Sequence, residues 1–176
     1  MVASNRQHLI LRVLNATGWT THPRGPKLKA IRKKPPETEV PMHVTGTCHC
    51  GAIAYAAEVD PATVRVCHCT DCQKLTGTVF RAGISSLPGT FRLIRGSPKT
   101  YLKTADSGAR RAHAFCPECG TPIYSTSPEP NPAIHGLRVG GLDQRAELAQ
   151  PARQIWCRSA LPWSMDLTEV PRAERQ

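Results

Sequence analysis

Seven of the chain's eight cysteines fall into three short clusters, Cys48-x-Cys50, Cys67-x-Cys69-x-x-Cys72 and Cys116-x-x-Cys119. No other feature limits the fold so strongly. Paired thiols have two common uses, disulfides and metal binding. Three cysteines within six residues cannot all pair with one another, and no export signal points to an oxidising compartment. A tetrahedral zinc with Zn–S bonds of about 2.3 Å needs sulfurs roughly 3.8 Å apart. Cysteines two apart on one face of a strand, or three apart around a tight turn, provide that spacing. Pro117 and Gly120 favour such a turn at the third cluster. Joining the first and third clusters gives a closed set of four thiolates, typical of structural zinc, and leaves the middle cluster with three. Three protein ligands on one zinc leave a position for water or substrate, as a catalytic site requires.

Residues beside the clusters have ordinary readings. Cys157, the eighth cysteine, is expected as a buried thiol on a strand, with a place as fourth ligand of the middle cluster as the sharper alternative. His49 and His68 sit between ligands, so on extended backbone they point away from the metal, as solvent-facing or orienting groups. His113, Asp71 and Lys74 are expected to be surface residues. A zinc with three thiolates carries a formal negative charge and polarises water poorly, which favours a soft incoming thiol over hydrolysis. Thiol addition to a carbonyl, or its reverse, is the matching chemistry. Lys74, Arg81, Arg110 and Arg111 are the nearby cations suited to offset that charge or to hold substrate carboxylates.

From Met42 onward short β-like runs alternate with Gly/Pro turns. Strands are expected over 52–59, 63–66, 79–84, 90–94, 99–103, 110–115, 122–126, 134–139 and 153–158, with one or two helical turns over 71–76. This describes one mostly β, antiparallel domain over residues 42–176. The preceding residues 1–41 hold eight basic and two acidic residues, a net charge of +6 out of +10 for the chain. Seven thiolates on two zinc ions would bring the remainder close to neutrality, so the strong basicity belongs to the leader. That leader is expected to be disordered. Its stretch from Asn5 to Ala16 also has the Arg-bearing, acid-poor character of an organelle transit peptide, and a phosphate-binding arm is a third reading. Met42, directly before the patterned region, is an alternative start. No apolar run approaches the roughly 18 residues of a membrane-spanning helix. The body shows no targeting signal, so the cytoplasm is its expected address.

Three longer segments carry a family resemblance: Gly46-Thr-Cys48-His-Cys50-Gly-Ala-Ile-Ala-Tyr55, Val66-Cys67-His-Cys69-Thr-Asp-Cys72-Gln-Lys-Leu-Thr-Gly77 and Phe115-Cys116-Pro-Glu-Cys119-Gly-Thr-Pro-Ile-Tyr124. Together they resemble the glutathione-dependent formaldehyde-activating enzyme family, which includes centromere protein V. The likeness runs from about Val44 to Val170, with Ile155-Trp156 through Pro162-Trp163 similar to the family's C-terminal strand and aromatic segment. It implies an antiparallel β-tent with two zinc ions. Cys48, Cys50, Cys116 and Cys119 would hold the structural ion, and Cys67, Cys69 and Cys72 the catalytic one. It further implies carbon–sulfur lyase chemistry, forming or cleaving S-hydroxymethylglutathione from formaldehyde and glutathione. Cys157 and the basic leader have no counterpart in that pattern.

Two other classes remain at this point. A non-catalytic protein carrying glutathione or another thiol would use the same cysteines. A nucleic-acid binder would use the leader, but the body has no recognition-helix pattern, and three Trp, three Tyr and three Phe make a poor stacking surface.

Overall fold

The computed structural model describes residues 40–105 and 108–175, so the expectations for the leader fall almost entirely outside the described residues. Among these residues ten strands and one α-helix form in the order β1 Met42–Thr47, β2 Ala54–Val59, β3 Arg65–Cys67, α1 Thr70–Thr76, β4 Arg81–Ser85, β5 Arg92–Arg95, β6 Lys99–Thr104, β7 Arg110–Phe115, β8 Pro122–Thr126, β9 Gly136–Arg138 and β10 Arg153–Ile155. Two sheets result, one with the order β1-β2-β5 and one with the order β10-β3-β4-β9-β8-β7-β6. The domain is mostly antiparallel β, as expected. No helix among the described residues is long and apolar enough to cross a membrane.

Strand formation follows from alternation. On the small sheet Val44, Gly46, Tyr55, Ala57 and Val59 all turn inward, with Val44 opposite Ala57 and Gly46 opposite Tyr55. On the large sheet Ile84, Leu137 and Tyr124 lie side by side across three strands. Val44, Tyr55, Ala57 and Val59 share one buried cluster with Ile84, Ile123 and Leu137, so the two sheets close on a common core. Gly46 is required here by proximity. A Cβ at this position would lie 2.4 Å from the Tyr55 ring and 2.6 Å from the Gly141 carbonyl oxygen.

The other face of the large sheet is polar. Reading the register across it gives the rows Ile155–Cys67–Arg81, then Arg153–Arg65–Gly83–Arg138, then Ser85–Gly136–Ser125–His113–Tyr101. Gly83 and Gly136 leave the middle of this face without side chains, which makes it concave. The register therefore brings the Cys67 strand, several arginines and a histidine onto one surface.

Four features depart from expectation. The last strand ends at Ile155 instead of Arg158, because Trp156 takes a left-handed conformation (φ 60°) and Cys157–Ser159 form a 3-10 turn. Cys157 is consequently exposed, not buried on a strand. The same β10 pairs with β3 in parallel, an exception to the antiparallel pattern. Strand β1 lies outside the expected strand list. Its pattern is short and weakly apolar, and six-residue pairing with β2 decides its state.

Adding one methyl group at Gly46 should overpack this core. Gly46→Ala is expected to lower the free energy of unfolding by about 1–3 kcal/mol. Gly140→Ala, at a position with nothing within 4 Å of the added carbon, should change it by less than about 0.5 kcal/mol. Denaturant titration at matched metal content distinguishes the two.

Candidate metal centre and cavity

The four-cysteine cluster is built from two similar turns. After Cys50, Gly51 has a φ of 75°, and its N–H donates to the Cys48 carbonyl at 3.0 Å. After Cys119, Gly120 has a φ of 72°, and its N–H donates to the Cys116 carbonyl at 2.9 Å. Glycine accepts this backbone without a Cβ penalty, and each turn folds its two sulfurs inward. The Cys48 and Cys50 sulfurs are 3.5 Å apart, and Cys50 reaches the Cys116 sulfur at 3.8 Å. All four sulfurs lie within 4.8 Å of one another. The Ile53 N–H donates to Cys48 Sγ at 3.2 Å, and the Thr121 hydroxyl lies 3.1 Å from Cys119 Sγ.

The three-cysteine cluster forms where a strand turns into a helix. Cys67 ends β3, Cys69 is the N-cap of α1, and Cys72 lies in its first turn. The Cys72 N–H donates to Cys69 Sγ at 3.4 Å, so the sulfur takes the role that a serine or aspartate oxygen usually has at a helix start. Sulfur separations are 3.5 Å for Cys67–Cys69 and 3.1 Å for Cys69–Cys72. Among the described residues no further Cys, His, Asp or Glu joins this set, and Cys157 belongs to neither cluster.

Both sets fit a soft divalent cation such as zinc, and their protonation shows why. Hydrogen bonds from the Thr121 hydroxyl and amide hold Cys119 down at about 5. The Ala52 amide pulls Cys50 the same way, but its neighbours Cys48 and Cys119 push it up to about 12. In the other cluster burial pushes Cys72 up against the opposing charge of Arg81. Adjacent thiols therefore cannot all ionise alone, whereas a bound dication permits it. Both clusters can hold metal ions.

The three-cysteine cluster alone opens onto the polar sheet face, forming part of the wall of a cavity of about 670 Å³. Cations around that cavity are Arg65, Arg81, Lys103, Arg111 and Arg158, and its carboxylate is Asp71, which is paired with Lys103. Beneath the floor Arg138 is 8% exposed and donates to His113 Nδ1 at 3.3 Å. Burial and the charge of Arg138 hold His113 down at about 4, so it is neutral and accepts that hydrogen bond. Burial and the Arg81 charge bring Arg138 down to about 9. Removing a cation from water costs several kcal/mol unless a counter-charge is near, and among the described residues neither recorded ion pair involves Arg65, Arg81 or Arg138.

Of the sequence-derived candidates, Arg81 and Arg111 reach the cavity, whereas Lys74 and Arg110 do not line it. His113 and Asp71 are cavity residues rather than ordinary surface groups, which corrects the reading of both. His49 is exposed, in keeping with its position between two ligands. His68 also points away from the sulfurs but is buried, with Nε2 at 2.8 Å from Gln154 Oε1, so it anchors β10. Gln73 adds a second anchor through bonds to the carbonyls of His68 (2.8 Å) and Ser159 (2.9 Å). Together these hold Trp156 and Arg158 at the cavity edge, with the Arg158 guanidinium 4.7 Å from the Trp156 ring centre. Arg65, Lys103, Arg138 and Arg158 were not candidates from the sequence. Arg65 had a readable signal, since it lies two residues before Cys67 on the same strand face.

A Rhodobacter sphaeroides protein of known crystal structure is 25% identical, over 62% of this chain and 98% of its own, with a TM-score of 0.48. Residues 43–159, which hold all seven clustered cysteines, match the family model described as glutathione-dependent formaldehyde-activating enzyme, and the chain belongs to that family.

Proposed function

We propose that the protein is a zinc-dependent carbon–sulfur lyase that forms and cleaves an adduct between a thiol and an aldehyde, with glutathione and formaldehyde as the pair. The observation that carries this reading is the difference between the clusters. Four cysteines form a closed set, whereas three without a further donor form part of a cavity rich in cations. Cys67, Cys69 and Cys72 would hold the zinc, which would supply a site for a soft thiol and lower that thiol's proton affinity. The remaining work belongs to the chain. Arg81 offsets the negative charge gathered on Cys69 and Cys72. Lys103, fixed against Asp71 and largely buried, supplies an ammonium to an oxygen that gains charge as the carbon–sulfur bond forms. The thiol proton ends on that oxygen, so the reaction is balanced without oxidation or reduction. Closely spaced reduced thiols suit a cytoplasmic setting.

Full-length protein is expected to bind two zinc ions. Cys69→Ser should lose one of them, keep its secondary structure, and lose at least about 100-fold of the exchange rate between formaldehyde and glutathione followed by NMR. Tight glutathione binding with no acceleration would select a thiol carrier instead, and X-ray absorption showing four protein sulfurs around each ion would sink both readings. Cys116→Ser behaves differently. It breaks the cluster that ties the β1–β2 turn to the β7–β8 turn, and cooperative thermal unfolding should be lost or shifted down by more than 10 °C, on the order of 2 kcal/mol or more for a domain of this size.

A further inference from the structure

A second cavity, of about 800 Å³, lies beside the four-cysteine cluster. Its wall includes Cys48, Arg81 at the start of β4, Arg138 at the end of β9, and Gly140, Asp143 and Arg145 from the segment that follows β9. None of Cys67, Cys69 and Cys72 lines it, and its thiol, Cys48, belongs to the closed set of four, so the cavity is equipped to bind and not to react. Arg81 lines both cavities, whereas Arg138 lines the second and not the first. Arg138 is the residue that points to a ligand. It is 8% exposed, and its hydrogen bonds are long ones to neutral acceptors: Nη1 to Ser125 Oγ at 3.4 Å and to the Gly136 carbonyl at 3.3 Å, and Nη2 to His113 Nδ1 at 3.3 Å. Its buried Nε has no partner, and neither has the buried Nη1 of the half-buried Arg81. A guanidinium so far from water needs a counter-charge, and among the described residues no carboxylate forms an ion pair with Arg138. Gly140 keeps the cavity open, since a Cβ there would meet nothing within 4 Å.

We infer that this second cavity is a binding site for a small phosphomonoester, with Arg138 Nε and Arg81 Nη1 as the buried donors to its phosphate and the exposed Arg145 as a further cation at the rim. The site rests on its own geometry and not on the lyase reading. Single N–H groups offered by two different strands match oxygens that point in different directions, as those of a tetrahedral phosphate do. A carboxylate is better met by the two parallel N–H groups of one guanidinium. Asp143, whose Oδ2 accepts from the Thr45 hydroxyl at 2.6 Å, limits the ligand to one anionic group. It repels a second and accepts from hydroxyls on the alcohol part of the ester. The surplus of arginines over this one carboxylate remains for the phosphate. Size agrees as well. A cavity of about 800 Å³ falls in the roughly 300–1,000 Å³ range of small-molecule sites and is far larger than a bare phosphate ion needs.

The test titrates glycerol 3-phosphate and inorganic phosphate separately into zinc-loaded full-length protein by calorimetry, with zinc content measured before and after. The ester should bind once per chain and at least about fivefold more tightly than the free ion. Gly140→Trp, at a position without a positive φ and with open space above it, fills the cavity and should weaken ester binding at least about tenfold with circular dichroism and zinc content unchanged. Arg138→Lys, which keeps the charge, loses the Nε donor and adds no bulk, should weaken it at least about fivefold. Arg111→Ala, a change in the wall of the first cavity, should bind as wild type does. No binding of either probe, ester binding that survives Gly140→Trp and Arg138→Lys, or binding lost in Arg111→Ala overturns the site. Inorganic phosphate bound as tightly as the ester overturns the phosphomonoester assignment in favour of the free ion.

Discussion

Convergence of sulfurs across two distant turns is the constraint from which the remaining structure follows. Cys48 and Cys50 sit between β1 and β2, Cys116 and Cys119 between β7 and β8, and the two turns meet with the Cys50 and Cys116 sulfurs 3.8 Å apart. One turn belongs to the three-stranded sheet and the other to the seven-stranded sheet. A metal ion held at this point would fasten the two sheets at one end, while Val44, Tyr55, Ile84 and Leu137 fill the space between them. The positive-φ glycines at 51 and 120 make that fastening possible, because a side chain there would strain the turn that aims each sulfur.

Once the sheets are joined, alternation divides labour within the large sheet. Its apolar face is used for stability. Its polar face has arginines in place of apolar residues and glycines at its centre, an arrangement that contributes little to folding and stores unbalanced charge beside the three-cysteine cluster. Real proteins accept such local conflict where a ligand later resolves it. The neutral state of His113 belongs to the same pattern, since a second cation there would add to the charge of Arg138.

Much of this was legible in the sequence, for physical reasons that differ by element. Spacing gives clusters of two, three and two cysteines; joining the outer two into a set of four is what tetrahedral coordination favours and the family resemblance implies, and the glycine after Cys119 marks its turn. Most of β2 and β4 through β9 match expected segments, because period-two alternation bounded by Gly and Pro is a local signal. Helix α1 begins at Thr70, one residue before the expected start, with Cys69 as its cap. Non-local choices were not legible. Strand β1 exists through its pairing with β2, and the parallel docking of β10 depends on His68 and Gln73 contacts made about 86 residues apart in sequence. The arginine floor was hidden for the same reason, as Arg65 and Arg138 become neighbours of one surface only through the register of β3, β4 and β9.

The two cysteine sets differ in how much chain must be ordered before they exist. Cys67, Cys69 and Cys72 are separated by two and three residues, so an emerging polypeptide presents them almost complete. Cys50 and Cys116 are separated by 66, and closing that loop costs about 2 kcal/mol more in chain entropy than closing one of five residues. During synthesis the set of three would thus be complete first for a metal ion, and the set of four would form only after most of the β structure has left the ribosome. Scarcity of the ion at that stage would leave molecules with an occupied pocket but unsecured sheets.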